Sequence, residues 1–278
     1  MTPSDTIEIL GVRFLNLSRV EAARAIASLA KSGYQEYVVK PYSEFMPRAL
    51  RDPEIRRLLN GAALCLPDGV GILWAAHYLS LPGGMVRALW QLPLSLATIA
   101  LNPSSIRRPL AENMAGVDLT WQMLGALEDA GASVFLLGGT ESELRGTTER
   151  VEAQFPNLRI VGAHAGHLDL PGAGNDEVVA GINSAAPHAL LVAMGFPLQE
   201  LWIGANLSRL NVNVAIAEGG SFSFISGATR RAPNWMRRVG LEWLFRLLRQ
   251  PWRIRRQLAL PLFVWLVVKE RLNRGNVR

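Results

Sequence analysis

Apolar and polar positions along the chain follow two alternating periods. Short, nearly uninterrupted apolar runs recur as YVV (37–39), ALCL (63–66), SVFLLG (133–138), ALLVA (189–193) and VNVAIA (212–217). Each is bounded by Gly, Pro or another turn residue, the mark of a strand buried on both faces. Between them lie stretches with apolar residues at helical spacing: 18–33, 43–62, 116–131, 141–156, 176–187 and 199–209. In the first, Ser18 reads as an N-cap and Gly33 as a stop. Pro47 and Pro53 must lie near helix starts, and a helix is expected to begin just after Pro67-Asp68-Gly69. Residues 9–18 read as one strand and a turn, and LRIVGAH (158–164) as a further strand. Strands alternating with helices predict an α/β fold, a mostly parallel sheet with helices on both faces. Ligands of such sheets bind beyond the carboxyl ends of the strands. The turns PDG, LGGT, MGFPLQE and AEGG all lie there.

Two stretches break the pattern. Residues 80–113 are apolar, hold four prolines and Trp90, and end near Arg107 and Arg108. They read as an insert rather than a regular element, and Trp90 is expected to add a membrane contact. After Gly227 the chain turns basic and aromatic, reading as two or three helices in which tryptophans interleave with arginines. This suits a membrane interface. The expected division is thus an α/β core over 1–227 and a basic helical membrane-docking appendage over 228–278.

Charge sharpens that division. The chain has 278 residues, 49% hydrophobic and 19% charged, with net charge +6. From Arg230 onward there are twelve Arg and one Lys against Glu242 and Glu270 alone, so the rest of the chain is mildly acidic. Such a tail seeks anionic partners. Its regular Trp and Leu spacing favours lipid over nucleic acid, for which no motif is present. The first residues do not read as a signal peptide, and no run reaches the roughly 18 apolar residues that span a bilayer. The lone cysteine, Cys65, reads as a buried apolar residue in a reducing compartment.

Candidate chemistry sits on the turns. Gly138-Gly139, between strand and helix, would let backbone N–H groups approach a phosphate, or is simply a tight turn. Gln199 could read a base or sugar hydroxyl. Glu200 complements a helix dipole even without a further role. Asp68 could accept a proton from an attacking hydroxyl, or serve only as a turn or cap residue. His164 and His167, in HAGH, could line a pocket. No HExxH motif or Cys/His cluster accompanies them, so neither a metal nor another cofactor is expected. Walker, GxGxxG and G-x-S-x-G motifs are absent.

Taken in order, these turns resemble a known family. LLNGAALCLPDGVGILWAA, GVDLTWQML, VFLLGGTESELRG, PHALLVAMGFPLQELWI and the long run from Val214 to Leu258 are similar to the WecG/TagA/CpsF glycosyltransferases (glycosyltransferase family 26). That last run carries Arg231-Ala232-Pro233, Trp235, Gly240 to Trp243 and Arg246-Leu247. The resemblance implies an inverting, metal-independent transfer of a hexose, N-acetylmannosamine or a relative, from a UDP-sugar to a polyprenyl-diphosphate-linked sugar. The place implied is the cytoplasmic face of the membrane, in cell-surface polysaccharide synthesis. Asp68 is the implied general base and Gln199 a donor contact. Arg230, Arg231, Arg237 and Arg238, with Gly138 and Gly139, are candidates to receive the leaving diphosphate. A homo-oligomer stays open.

Two departures from the family pattern matter. The usual Thr-x-Asn turn is here Lys40-Pro41-Tyr42, so Lys40 could bind a diphosphate and Tyr42 could stack on a sugar. The usual GG-x-F-D is Gly219-Gly220-Ser221-Phe222-Ser223, without its carboxylate. They motivate a second reading, a catalytically inactive relative acting as a membrane-associated nucleotide-sugar binder or scaffold.

Overall fold

Odd and even residues of the buried strands go to opposite layers. The strands are β1 (Thr6–Ile9), β2 (Val12–Leu15), β3 (Glu36–Val39), β4 (Leu64–Cys65), β5 (Ser133–Gly138), β6 (Arg159–His164), β7 (Ala189–Ala193) and β8 (Val214–Ala217). They come from a computed structural model that describes residues 6–166, 173–238, 241–251 and 254–275. Strands β3 to β8 form one sheet in the order β4-β3-β8-β7-β5-β6. Every neighbouring pair in it is parallel.

Val38, Leu136, Leu191 and Ile216 face a layer of four helices: α1 (Arg19–Ala30), α6 (Gly116–Asp129), α7 (Glu141–Gln154) and α10 (Ser221–Ile225). Val39, Leu137, Val192 and Ala217 face the other layer. It contains α2 (Met46–Arg51), α3 (Pro53–Gly61), α4 (Val70–Ser80), α8 (Ala173–Ala185) and α9 (Leu198–Asn206). The expected parallel α/β sheet with helices on both faces is therefore present. Local signals held as well. Ser18 caps α1 in a reciprocal box with Glu21, and Pro47 and Pro53 stand at helix starts. Cys65 is a buried free thiol.

Three expectations need correction. Residues 6–15 form a hairpin rather than one strand. Its turn places Leu10 at φ 50° and Gly11 at φ 76°, the geometry of a tight two-residue loop. Leu10 rarely adopts it, so the turn carried no sequence signal. The stretch 80–113 contains a regular helix, α5 (Met85–Leu101), with Pro93 inside it. Pro82 and Pro103 fall outside its ends, so most of the prolines punctuate the helix rather than prevent it.

The last correction concerns the C-terminal segment. It forms four described helices, not two or three: α11 (Asn234–Arg238), α12 (Glu242–Arg249), α13 (Ile254–Gln257) and α14 (Ala259–Gly275). Helix α14 does not stand apart. Phe263 and Val267 are buried in the same cluster as α4 and the hairpin. The Leu10 N–H donates to Glu270 Oε2 at 2.9 Å. Among the described residues no helix is long and apolar enough to cross a membrane.

Candidate active site

Two crevices open at the carboxyl end of the sheet. After β5 the chain runs out to edge strand β6, and after β7 it runs the other way to β8. After β3 it passes through α2 and α3, on one face, to β4, while β8 feeds α10 on the other face. Such partings are where parallel sheets bind ligands. Gly138 closes the first crevice. Its φ is +106°, and a Cβ there would come within 2.6 Å of the Ala193 carbonyl oxygen, so only glycine fits.

Asp68 follows β4. Its amide donates to the Pro41 carbonyl at 3.3 Å, and the next amide, Gly69, donates to Asn113 Oδ1 at 2.6 Å. Both ends of the 70–112 excursion are thereby pinned beside it. The start of α6 stands close, since a Cβ on Gly116 would lie 3.8 Å from Asp68 Oδ2. Asp68 is half-buried. Loss of hydration pushes its carboxyl up to about 7, against the pull of Lys40 and Arg246. A carboxyl poised near neutrality can take a proton.

Lys40 and Glu218 end the adjacent strands β3 and β8. Lys40 Nζ donates to Glu218 Oε1 at 2.7 Å, with both side chains almost wholly buried. Thr120 Oγ1 donates to Glu218 Oε2 at 2.5 Å. Lys40 is thus committed to a buried ion pair, from which its charge still acts on Asp68. Tyr42 is built into an aromatic ladder. Its ring centroid lies 4.0 Å from that of Phe45, which stacks on Phe196 at 3.5 Å. Arg256 donates to the Tyr42 hydroxyl and reaches over its ring.

Gln199 and Glu200 are buried in the first turn of α9. Gln199 Oε1 accepts from the Gly195 amide at 3.1 Å and from the Gly219 amide at 2.8 Å. It staples the loop after β7 to the Gly219-Gly220 loop after β8. Its Nε2 donates to Glu200 Oε1 at 2.9 Å. Glu200 Oε2 is buried without a hydrogen-bond partner, and burial pushes this carboxyl to about 7. The Gly138-Gly139 turn spends donors internally: Gly139 N–H goes to Ala193 O at 3.1 Å and Thr140 N–H to Glu143 Oε2 at 3.0 Å.

The arginines divide. Arg231 pairs with Asp118 in the first turn of α6, and its Nε lies 3.7 Å from Glu242 Oε1. Arg237 Nη1 lies 3.9 Å from Asp118 Oδ2. These two therefore collect one helical turn from Gly116 and Asp68. Arg230 is exposed, and the side chain of Arg238 lies outside the described residues. His164 is exposed at the end of edge strand β6. Five strand spacings of about 4.8 Å put that strand roughly 24 Å from β4, so His164 does not join Asp68. His167 lies outside the described residues.

Sequence reasoning missed several participants. Arg246 acts on Asp68 and stacks over Phe224 at 4.3 Å. Asp118 gathers the arginines. Glu218 could have been read as a lone acid after an apolar strand, matching Lys40 after another, had the strand order been known. The Ser223 hydroxyl donates to Glu143 Oε1 at 2.5 Å, so a carboxylate from α7 stands beside the position where the family pattern has its own. Thr140-x-x-Glu143 is a capping box in the sequence; its second partner was not legible there.

Comparison with known proteins identifies the family. The model of the glycosyl transferase WecG/TagA/CpsF family matches residues 7–89 and 93–277, which takes in most of the stretch read as an insert. Among similar proteins are three named N-acetylglucosaminyldiphosphoundecaprenol N-acetyl-beta-D-mannosaminyltransferase. That of Bacillus subtilis (strain 168) is 28% identical over 226 residues, 81% of this chain and 76% of the relative. That of Bacillus spizizenii is 31% identical over 233 residues, covering 84% and 79%. That of Staphylococcus aureus (strain MW2) is 27% identical over 265 residues, covering 95% and 92%.

Proposed function

The chain belongs to the WecG/TagA/CpsF glycosyltransferase family, and on that premise we propose that it transfers N-acetylmannosamine or a related hexose from a UDP-sugar to a polyprenyl-diphosphate-linked sugar. The observation that carries this reading is Asp68: a half-buried carboxyl at a strand's carboxyl end, held near neutrality and facing the start of α6. Asp68 takes the proton of the acceptor hydroxyl as that oxygen bonds to the anomeric carbon. The bond to the UDP oxygen breaks on the opposite face, inverting the centre. The resemblance implies metal independence, which leaves the diphosphate charge to arginines. The gathering of Arg231 and Arg237 by Asp118, and the charge of Arg246 acting on Asp68, support that role for these three. Gln199 acts by positioning the two glycine loops. Residues 228–278 bring the basic surface to an anionic membrane, with α14 anchoring that segment to the core. The names of the relatives support a lipid-linked acceptor.

The test is UDP release from a panel of UDP-hexoses with a short-chain polyprenyl-diphosphate-sugar acceptor. Acceptor-dependent release is expected, falling about 10²–10⁴-fold in Asp68→Asn. UDP binding without release from any donor would replace this reading with the inactive binder.

A further inference from the structure

We propose that the outward face of α5 is a lipid-contact surface that lies on an anionic bilayer, separate from the basic C-terminal segment. This helix is apolar on its outer face as well as its inner one. Its exposed stripe is Val86, Leu89, Trp90, Pro93, Leu94 and Leu101; Trp90 is 74% exposed and Leu101 83%. Positions i, i+3, i+4, i+7 and i+8 are thus apolar on the water side, the reverse of a soluble helix. Ala88, Leu92, Leu96 and Ile99 pack inward, and the polar residues on that side are satisfied there. Ser95 Oγ accepts from the buried Trp74 indole at 3.1 Å, and Gln91 accepts from Arg271 of α14. The inner face is therefore fully engaged, and the stripe is a surface kept apolar.

Charge identifies the occupant. Between Asp68 and Glu112 the chain has no acidic residue, whereas Arg87, Arg107 and Arg108 are all exposed. Apolar residues flanked only by cations suit the headgroup boundary of an anionic membrane. Two copies of this face would set arginine against arginine with no acid between them. Placement adds a reason. Tyr78 Oη donates to the Ala88 carbonyl at 2.9 Å, and Trp74 meets Ser95, so α5 runs antiparallel to α4. Its Leu101 end returns toward the end of α4 that carries Asp68. A bilayer under α5 would lie along the flank that leads to the catalytic carboxyl.

Flotation of the full chain with phosphatidylcholine vesicles, with and without phosphatidylglycerol, tests this. It is run beside a variant carrying Val86→Ser, Leu89→Ser, Trp90→Ser and Leu94→Ser, at a salt concentration that screens the basic tail. The variant should fold normally, since all four side chains are exposed, and lose about tenfold or more in vesicle partition. Brominated acyl chains should quench wild-type fluorescence by an increment that Trp90→Phe removes. Equal partition of variant and wild type, or no Trp90-dependent quenching, would overturn the proposal. A wild-type dimer in solution that the variant splits would give the face to a second copy instead. Vesicle partition needs no turnover, so a failed donor or acceptor assignment leaves this test standing.

Discussion

Asp68 and Lys40 carry opposite lessons about charge next to a protein core. The folded chain keeps the Asp68 proton up to about pH 7, while an unfolded aspartate loses it near its ordinary value of 3.8. The folded state therefore binds more protons in that window, and stability declines as pH rises through it, levelling off above about 7. Transfer needs the ionised form, so the rate should rise through the same window to a plateau; a profile flat across the neutral range would remove Asp68 as the base. Asp68→Asn should slow turnover about 10²–10⁴-fold yet gain about 1–2 kcal/mol at pH 8, measured by denaturant unfolding. Lys40 differs because its charge is paired. Restoring the family's threonine alone, Lys40→Thr, strands Glu218 in the core and should cost about 3–5 kcal/mol. Lys40→Met with Glu218→Leu should recover most of that, since Thr120 Oγ1 also lies 2.7 Å from the Gly116 carbonyl. A single variant as stable as wild type would show that the pair is not buried as described.

Among elements, α14 and α5 are the two whose roles the chain's composition disguises. Helix α14 sits in the basic tail but contributes Phe263, 1% exposed, to the core, while Trp265 is 56% exposed. Phe263→Ala should cost about 3–5 kcal/mol in denaturant unfolding, and Trp265→Ala no more than about 0.5 kcal/mol. Equal effects would mean that α14 is only laid on the surface. Helix α5 was hidden by its prolines and by its apolar outer face. A run apolar on both faces defeats the rule that apolar positions mark the core.

For the whole molecule, charge and topology act together. A mildly acidic body carries its positive charge at one end of the sequence, yet the fold returns that end to the side of the sheet that holds Asp68. Arg231 and Arg237 reach Asp118, Arg256 reaches Tyr42, and the charge of Arg246 acts on Asp68. On the proposed reading, the basic segment is both a surface for anionic lipid and a wall of the site.

Most elements were legible in the sequence because the forces that form them are local. Apolar runs ending in glycine, the Ser18 cap and prolines at helix starts each act within a few residues. The order of motifs also carried the family, and with it Asp68. Partners were not legible. Lys40 and Glu218 lie 178 positions apart, and nothing in either neighbourhood says that β3 and β8 are adjacent. Gln199 reads as a ligand contact until two glycine loops close on its oxygen. The segment that holds Phe263 reads as a membrane-docking appendage until the hairpin and α4 cover that side chain. Periodicity records how much of a segment is buried, whereas the free energy of the whole chain selects what buries it.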